Sequence, residues 1–93
     1  MREKDIENYL VQQAKAIGAL VRKVSWIGLN HCPDRLIMLP RITVWVEVKA
    51  PGEKPRAGQQ REHERMYEHG QTVYVVDSKE SVDNLIKTLG REL

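Results

Sequence analysis

The chain has 93 residues, which is enough for one domain and leaves no room for a second. Its 41% hydrophobic and 30% charged residues are typical of a soluble globular protein, and a formal net charge of +2 does not select a partner. The single cysteine, Cys32, excludes an internal disulfide and fits a reducing cytoplasm. No apolar run approaches the length of a membrane span, and the charged N-terminus lacks a signal-peptide core. We therefore expect one cytoplasmic domain over residues 1–93.

The first half of the chain predicts one helix followed by two strands. A helix is predicted over residues 2–17, because apolar residues recur there at helical spacing. These residues are Ile6, Leu10, Ala14 and Ile17. Residues 19–24 predict a short strand, and residues 34–39 predict a second one. The loop between them, residues 25–33, is expected to expose Trp26.

The second half predicts two strands and two helices. Residues 42–49 predict a third strand, residues 59–69 a helix, and residues 72–76 a β-branched fourth strand. A capping box at Asp77–Glu80 starts a last helix, which Gly90 ends. The order α-β-β-β-α-β-α indicates an α/β fold with a mixed central sheet flanked by helices. The helix between strands three and four makes their connection a crossover, which favours a parallel pair.

The third strand combines an apolar face with a charged one. Successive strand residues point to opposite faces, so Val44, Val46 and Val48 form one face. Trp45, Glu47 and Lys49 form the other. A strand this apolar should be central, and a buried Glu or Lys is costly unless it is paired, hydrogen-bonded or bound to a metal. This break of the apolar pattern indicates a functional site.

A hairpin turn at Pro40-Arg41 would place Asp34 directly opposite Glu47, roughly 5 Å apart at Cβ. Two carboxylates this close repel each other unless a cation such as Mg²⁺ lies between them. Lys49 lies on the same face and would hold or polarise a water near the metal. The alternative is a solvated edge strand, with Asp34 only a turn residue. The upstream Pro33-Asp34 pair and the downstream Gln59 favour the site.

These residues resemble the virus-type replication-repair nuclease (VRR-NUC) domain of the PD-(D/E)XK superfamily. The first motif is Pro33–Leu36 and the second is Val46–Gly52, with Gln59 ten residues after the lysine. Gly70 and the run Val73–Ser78 follow in the same order as in the family. The resemblance covers nearly the whole chain and implies a core like that of restriction endonucleases.

The resemblance implies metal-dependent endonuclease cleavage of DNA in phage-type replication or repair, in the cytoplasm, which would be that of the host cell if the protein is viral. It implies that Asp34 and Glu47 bind Mg²⁺ or Mn²⁺ and that Lys49 serves the nucleophilic water. Family members also carry a first-helix glutamate near the metal, for which Glu7 is the better match and Glu3 the alternative. Compact members resemble Holliday-junction resolvases and form homodimers, which suggests cleavage of branched DNA.

Two further groups of residues bear on the site, one from the resemblance and one from its position next to the proposed phosphate site. Gln59 matches the family's glutamine at the start of the helix after the catalytic strand, and His31 departs from the family by occupying a usual glycine position. Basic side chains that we expect to contact the DNA backbone are Arg35, Lys54, Arg56, Arg61 and Arg65. For any single one of these, a solvated surface role is about as good an interpretation.

Several alternatives remain open. His31 and Cys32 beside Asp34 would suggest zinc, but a single cysteine without a spaced histidine favours a structural or solvated role. His63 and Met66 fall on the same face of the second helix as Gln59, where such residues are more often part of the core than ligands. Trp26 would stack on a base or pack against a dimer partner. The rival functions are a non-catalytic DNA-binding module and a subunit that keeps the nuclease fold but needs a partner helicase.

Overall fold

The computed structural model describes residues 1–92, so residue 93 of the expected domain lies outside the described part. Within it, three helices and four strands follow in the predicted order. Their bounds are α1 Glu3–Ala16, β1 Leu20–Lys23, β2 Arg35–Leu39, β3 Ile42–Val48, α2 Ala57–Glu68, β4 Val73–Val76 and α3 Lys79–Gly90. Each predicted element is therefore confirmed, with bounds that differ by one or two residues.

The four strands form one mixed sheet in the order β1-β2-β3-β4. β1, β2 and β3 pair antiparallel, while β4 lies parallel to β3 after the crossover through α2. In the β2–β3 hairpin, Arg35 pairs with Val46. Continuing this register by one residue places Asp34 opposite Glu47, which confirms the pairing predicted from the position of the turn. β3 is thus an interior strand, as its composition predicts.

The hydrophobic core lies between the sheet and the helices α1 and α3. Val44, Val46 and Val48 project into it from β3 and are 0–1% exposed. The helices contribute apolar stripes at helical spacing, which consist of Ile6, Leu10, Ala14, Val82, Leu85 and Leu89. Burial of these stripes fixes α1 and α3 on one face of the sheet. No helix among residues 1–92 is long and apolar enough to cross a membrane.

Helix α2 covers the opposite face of the sheet and begins at Ala57, two residues before the predicted start. The side chain of Gln59, in the first turn, accepts a hydrogen bond from the backbone nitrogen of Arg56 at 2.9 Å. This bond satisfies one of the donors that a helix N-terminus leaves unpaired. Gln59 therefore has a capping role in addition to any role in the site.

The start of α3 differs from the predicted capping box at Asp77–Glu80. Ser78 is the N-cap, and its Oγ accepts a hydrogen bond from the backbone nitrogen of Ser81 at 3.0 Å. Ser81 Oγ in turn accepts from the backbone nitrogen of Ser78 at 3.0 Å. The prediction was wrong by one residue, because a serine pair provides the reciprocal bonds in place of an acidic side chain.

Candidate active site

Glu47 and Lys49 are buried in the interface between β3 and α2, at 3% and 8% exposure. They lie on the same strand face because two residues separate equivalent positions in a strand. Lys49 Nζ lies 3.9 Å from Glu47 Oε2, which is an ion pair at the limit of the usual distance. The expected Glu–Lys pair in the interior of the sheet is therefore present, and the Lys49 ammonium partly offsets the cost of ionising the buried Glu47.

Asp34 precedes β2 and is held by the backbone of β3. Its backbone nitrogen donates to the carbonyl oxygen of Val46 at 3.0 Å. Its carboxylate Oδ2 accepts from the backbone nitrogen of Val48 at 2.7 Å. The two bonds, one on each side of Glu47, fix the aspartate beside that glutamate.

The carboxyl groups of Asp34 and Glu47 interact strongly. Burial, followed by the charge of Asp34 and a hydrogen bond with it, raises the pKa of Glu47 to about 8. The neighbouring Lys49 ammonium acts in the opposite direction but does not cancel the effect. Glu47 is therefore a carboxyl group that resists ionisation until a cation reduces the local negative charge.

Helix α2 contributes two polar side chains that approach Glu47. Gln59 Nε2 donates to Glu47 Oε2 at 3.3 Å. His63, one turn further along α2, places Nε2 at 3.5 Å from Glu47 Oε1. The sequence interpretation placed His63 on the same helix face as Gln59, four residues away, but favoured a core role and did not predict this contact.

The donor set fits Mg²⁺ or Mn²⁺. Two carboxylates, Asp34 and Glu47, are adjacent, and Glu47 Oε1 is a buried oxygen without a hydrogen-bond partner among the described residues. Mg²⁺ usually takes one or two carboxylates and completes its shell with water and substrate oxygens. Within residues 1–92 there is no group of three or more His, Cys, Asp or Glu side chains arranged to hold a metal. Asp34 and Glu47 are therefore the two carboxylates that would hold such an ion, with water completing its shell.

The first-helix glutamates have different surroundings. Glu7 Oε2 accepts from Lys23 Nζ at 2.8 Å and from Arg35 Nε at 2.7 Å. Burial acts to raise the pKa of Glu7, but these two hydrogen bonds bring it below its usual value. The structure thus places Glu7 in an ion pair on the α1 side, whereas the charge of Glu3 adds to the field that raises the pKa of Glu47. A metal-binding role for Glu7 stays a prediction.

The five candidate DNA-binding residues divide into two groups. Arg35 is largely buried by its pairing with Glu7, and Arg65 donates two hydrogen bonds to Glu62. The remaining three have exposed side chains around the N-terminus of α2, and they are Lys54, Arg56 and Arg61. These three are available to contact phosphate without breaking an ion pair in the described part of the chain.

Trp26 is not the exposed loop residue that the sequence predicts. Its ring lies 5.5 Å from that of Trp45, and its Nε1 donates to Glu62 Oε2 at 2.7 Å. The loop therefore folds back onto the sheet and α2 at this point, because the indole finds both an aromatic neighbour and an acceptor there. Ile27 and Leu29, in the same loop, remain 100% and 72% exposed.

His31 adopts the backbone conformation that a glycine would adopt easily, with φ of 73°. Its imidazole lies over the first turn of α2, where a Cβ added to Gly58 would come within 2.5 Å of His31 Nε2. The departure from the family pattern is therefore accommodated by a glycine on the facing helix. Next to it, burial and the nearby charge of Glu47 raise the pKa of the Cys32 thiol to about 11, which disfavours the thiolate that zinc would need.

Comparison with known proteins places this geometry in a family. A protein of Acyrthosiphon pisum secondary endosymbiont phage 1, named "Putative nuclease p44", is 43% identical over 81 residues, which are 86% of this chain and 87% of that protein. A solved structure described as "VRR_NUC domain" matches with a TM-score of 0.86 at 42% identity, covering 91% of this chain and 94% of that one. No family model matches the chain. On the strength of the phage relative and the solved domain, the chain belongs to the VRR-NUC nuclease domains of the PD-(D/E)XK superfamily.

Proposed function

We propose that this nuclease domain is a Mg²⁺- or Mn²⁺-dependent endonuclease that hydrolyses DNA phosphodiesters, with a preference for branched or junction DNA. The observation that carries the proposal is the pair of carboxyl groups formed by Asp34 and the buried Glu47, beside the buried Lys49 ammonium. A pair of adjacent carboxyl groups destabilises the fold unless the site binds a cation. A structural role alone gives no reason to retain it.

Asp34 and Glu47 would hold the metal, and Gln59 would orient Glu47 through its 3.3 Å hydrogen bond. The metal would supply charge neutralisation at the phosphate and a more acidic bound water. Lys49 is fixed near Glu47 and has donors to position a water for attack on phosphorus. The exposed Arg56 and Arg61 would contact flanking phosphates and set the register of the DNA.

The preference for branched DNA and a phage-type role in replication or repair rest on the family membership and on a homodimer built through the loop after β1. Exposed Ile27 and Leu29 supply an apolar surface for that dimer. Two active sites related by a two-fold axis would match the two symmetric strands of a four-way junction. The second candidate function is a DNA-binding module that keeps the fold without cleaving.

The test is a panel of single-stranded, duplex, flap and four-way DNA incubated with Mg²⁺, Mn²⁺ or EDTA. We expect cleavage only with the metals, fastest on the four-way substrate, and none from Asp34→Asn. Binding of all substrates without cleavage at either metal would favour the non-catalytic module. Cleavage at the wild-type rate by Asp34→Asn would contradict the assigned site.

A further inference from the structure

Two buried atoms of the site face each other without a hydrogen-bond partner among the described residues. They are Glu47 Oε1 and His63 Nε2, and they lie 3.5 Å apart. An unpartnered buried polar atom costs free energy comparable to a lost hydrogen bond, so such pairs are rare in folded proteins. Here the two unpartnered atoms are in contact with each other, beside the Lys49 ammonium. A small rotation of either side chain would form a direct hydrogen bond between them.

Side chains of helix α2 approach both oxygens of the Glu47 carboxylate. Gln59 Nε2 donates to Glu47 Oε2, while His63 Nε2 lies next to Oε1. The two helix residues are four positions apart and therefore share one face of α2, which is the face turned toward β3. A carboxylate contacted at both oxygens from one rigid helix has little freedom to rotate about its terminal torsion.

The chemistry of the imidazole suits a donor role. A neutral imidazole carries a single N–H, which can sit on either ring nitrogen. When that proton is on Nε2, it points at an oxygen that has no other protein donor in the described chain. Carboxylates that bind metals commonly receive such hydrogen bonds from neighbouring side chains, which fix their orientation.

We propose that His63 is a positioning residue that, together with Gln59, clamps the Glu47 carboxylate from helix α2 and so sets the metal affinity of the site. This inference rests on the proposed metal-dependent function. His63 does not touch the substrate in this scheme, and it acts only through Glu47. The alternative is that the ring fills space beside the cavity of about 520 Å³ between α2 and β4, where Tyr67 and Val73 are neighbours.

The two roles predict different behaviour of three variants. His63→Leu keeps an apolar filler but removes the donor, and His63→Gln restores an N–H near the position of Nε2. His69→Leu is the matched control, because it removes an exposed histidine at the end of the same helix. Affinity for Mn²⁺ is measured by calorimetry on the DNA-free protein, and melting is measured in EDTA.

We expect His63→Leu to weaken Mn²⁺ binding by about tenfold or more, the usual effect of removing a hydrogen bond to a metal ligand. We expect His63→Gln and His69→Leu to stay within about threefold of the wild type, and all variants to melt in EDTA within a few degrees of it. Unchanged Mn²⁺ affinity of a folded His63→Leu would overturn the proposal, and so would a loss in His63→Gln equal to that in His63→Leu. Absence of Mn²⁺ binding by the wild type would instead contradict the proposed function itself.

Discussion

At the scale of single residues, the interaction between the Asp34 and Glu47 carboxyl groups can be measured without DNA. Asp34→Asn removes one charge, while the amide oxygen can still accept from the backbone nitrogen of Val48 and the new NH₂ group can donate to Glu47. Above pH 8, where both carboxyl groups of the wild type are ionised, we expect the melting temperature in EDTA to rise by about 4 °C or more, which corresponds to roughly 1 kcal/mol for a domain of this size. Melting curves with and without Mn²⁺ measure the effect.

The same experiment tests the metal site, because a ligand that binds only the folded state stabilises it. Wild-type protein should gain stability with Mn²⁺, and Asp34→Asn should lose most of that gain. Glu53→Gln, which alters an exposed carboxylate outside the site, is the control and should keep it. Equal stabilisation of Asp34→Asn and wild type by Mn²⁺ would remove Asp34 from the ligand set.

The raised pKa of Glu47 predicts how the metal-free protein responds to pH. Between the usual carboxyl pKa of 4.5 and about 8, folded Glu47 keeps a proton that the unfolded chain has released. The folded state then binds more protons than the unfolded state, so the stability falls as pH rises through this window. The lowered pKa of His63 has the opposite sign, but its contribution is complete above its ordinary value of 6.5.

The informative range is therefore pH 6.5 to 8, measured in EDTA. We expect the melting temperature of the wild type to fall by about 7 °C across it, as Glu47 in the folded state begins to lose its proton. In Glu47→Gln, the glutamine side chain has the same shape as glutamate but no titratable group. The melting temperature of this variant should therefore stay nearly constant across the range. A fall of the same size in Glu47→Gln would assign the pH dependence to other groups.

At the scale of secondary-structure elements, the sequence predicted those features of the fold that depend on a local residue pattern. The alternation along β3 and the turn before it determine which residues share a face and which residue lies opposite Glu47. The start of α2 was placed too late, because Ala57 and Gly58 add nothing to an apolar stripe. The signal for the true start is a side-chain to backbone bond between Gln59 and Arg56.

Contacts between distant elements could not be predicted in this way. Glu7 pairs with Arg35, 28 residues away, and Trp26 donates to Glu62, 36 residues away. Each residue type is compatible with several partners, and only the packing of loop, helix and sheet selects one. His63 belongs to the same class, since its importance follows from the position of α2 over β3 and not from any motif.

The N-terminal part of α2 is the element for which we predict the DNA contact. Replacing Arg56 and Arg61 with Ala should weaken DNA binding and reduce the salt slope by about 2, since each phosphate contact contributes about 0.9 to it. The control replaces the exposed Lys15 on α1 and Lys87 on α3 with Ala. This removes the same amount of positive charge from the opposite side of the sheet. Fluorescence anisotropy over a salt series gives both quantities. Equal slopes for the two double variants would show that the duplex lies elsewhere.

For the whole molecule, the open question is what covers its exposed apolar groups. The sheet has only four strands in the described chain, so β1 and β4 are both edges. Beside β1, the loop leaves Ile27 fully exposed and Leu29 72% exposed, and Leu20 on β1 itself is 48% exposed. Ile27 and Leu29 belong to the same loop, so one partner surface can cover both. A two-fold partner that buries them would add the apolar area that a chain of this size lacks.

We therefore predict a homodimer with twice the chain mass of 10.8 kDa in light scattering at micromolar concentration. Ile27→Ser combined with Leu29→Ser should shift it to monomer, because each buried aliphatic side chain contributes about 1.5–3 kcal/mol. Tyr67→Ser is the control, since Tyr67 is 74% exposed but lies on α2, and it should remain dimeric. The monomeric variant should still bind Mn²⁺ but lose its preference for four-way DNA over duplex. A wild-type monomer that cleaves four-way DNA would contradict both the dimer and the two-site geometry that depends on it.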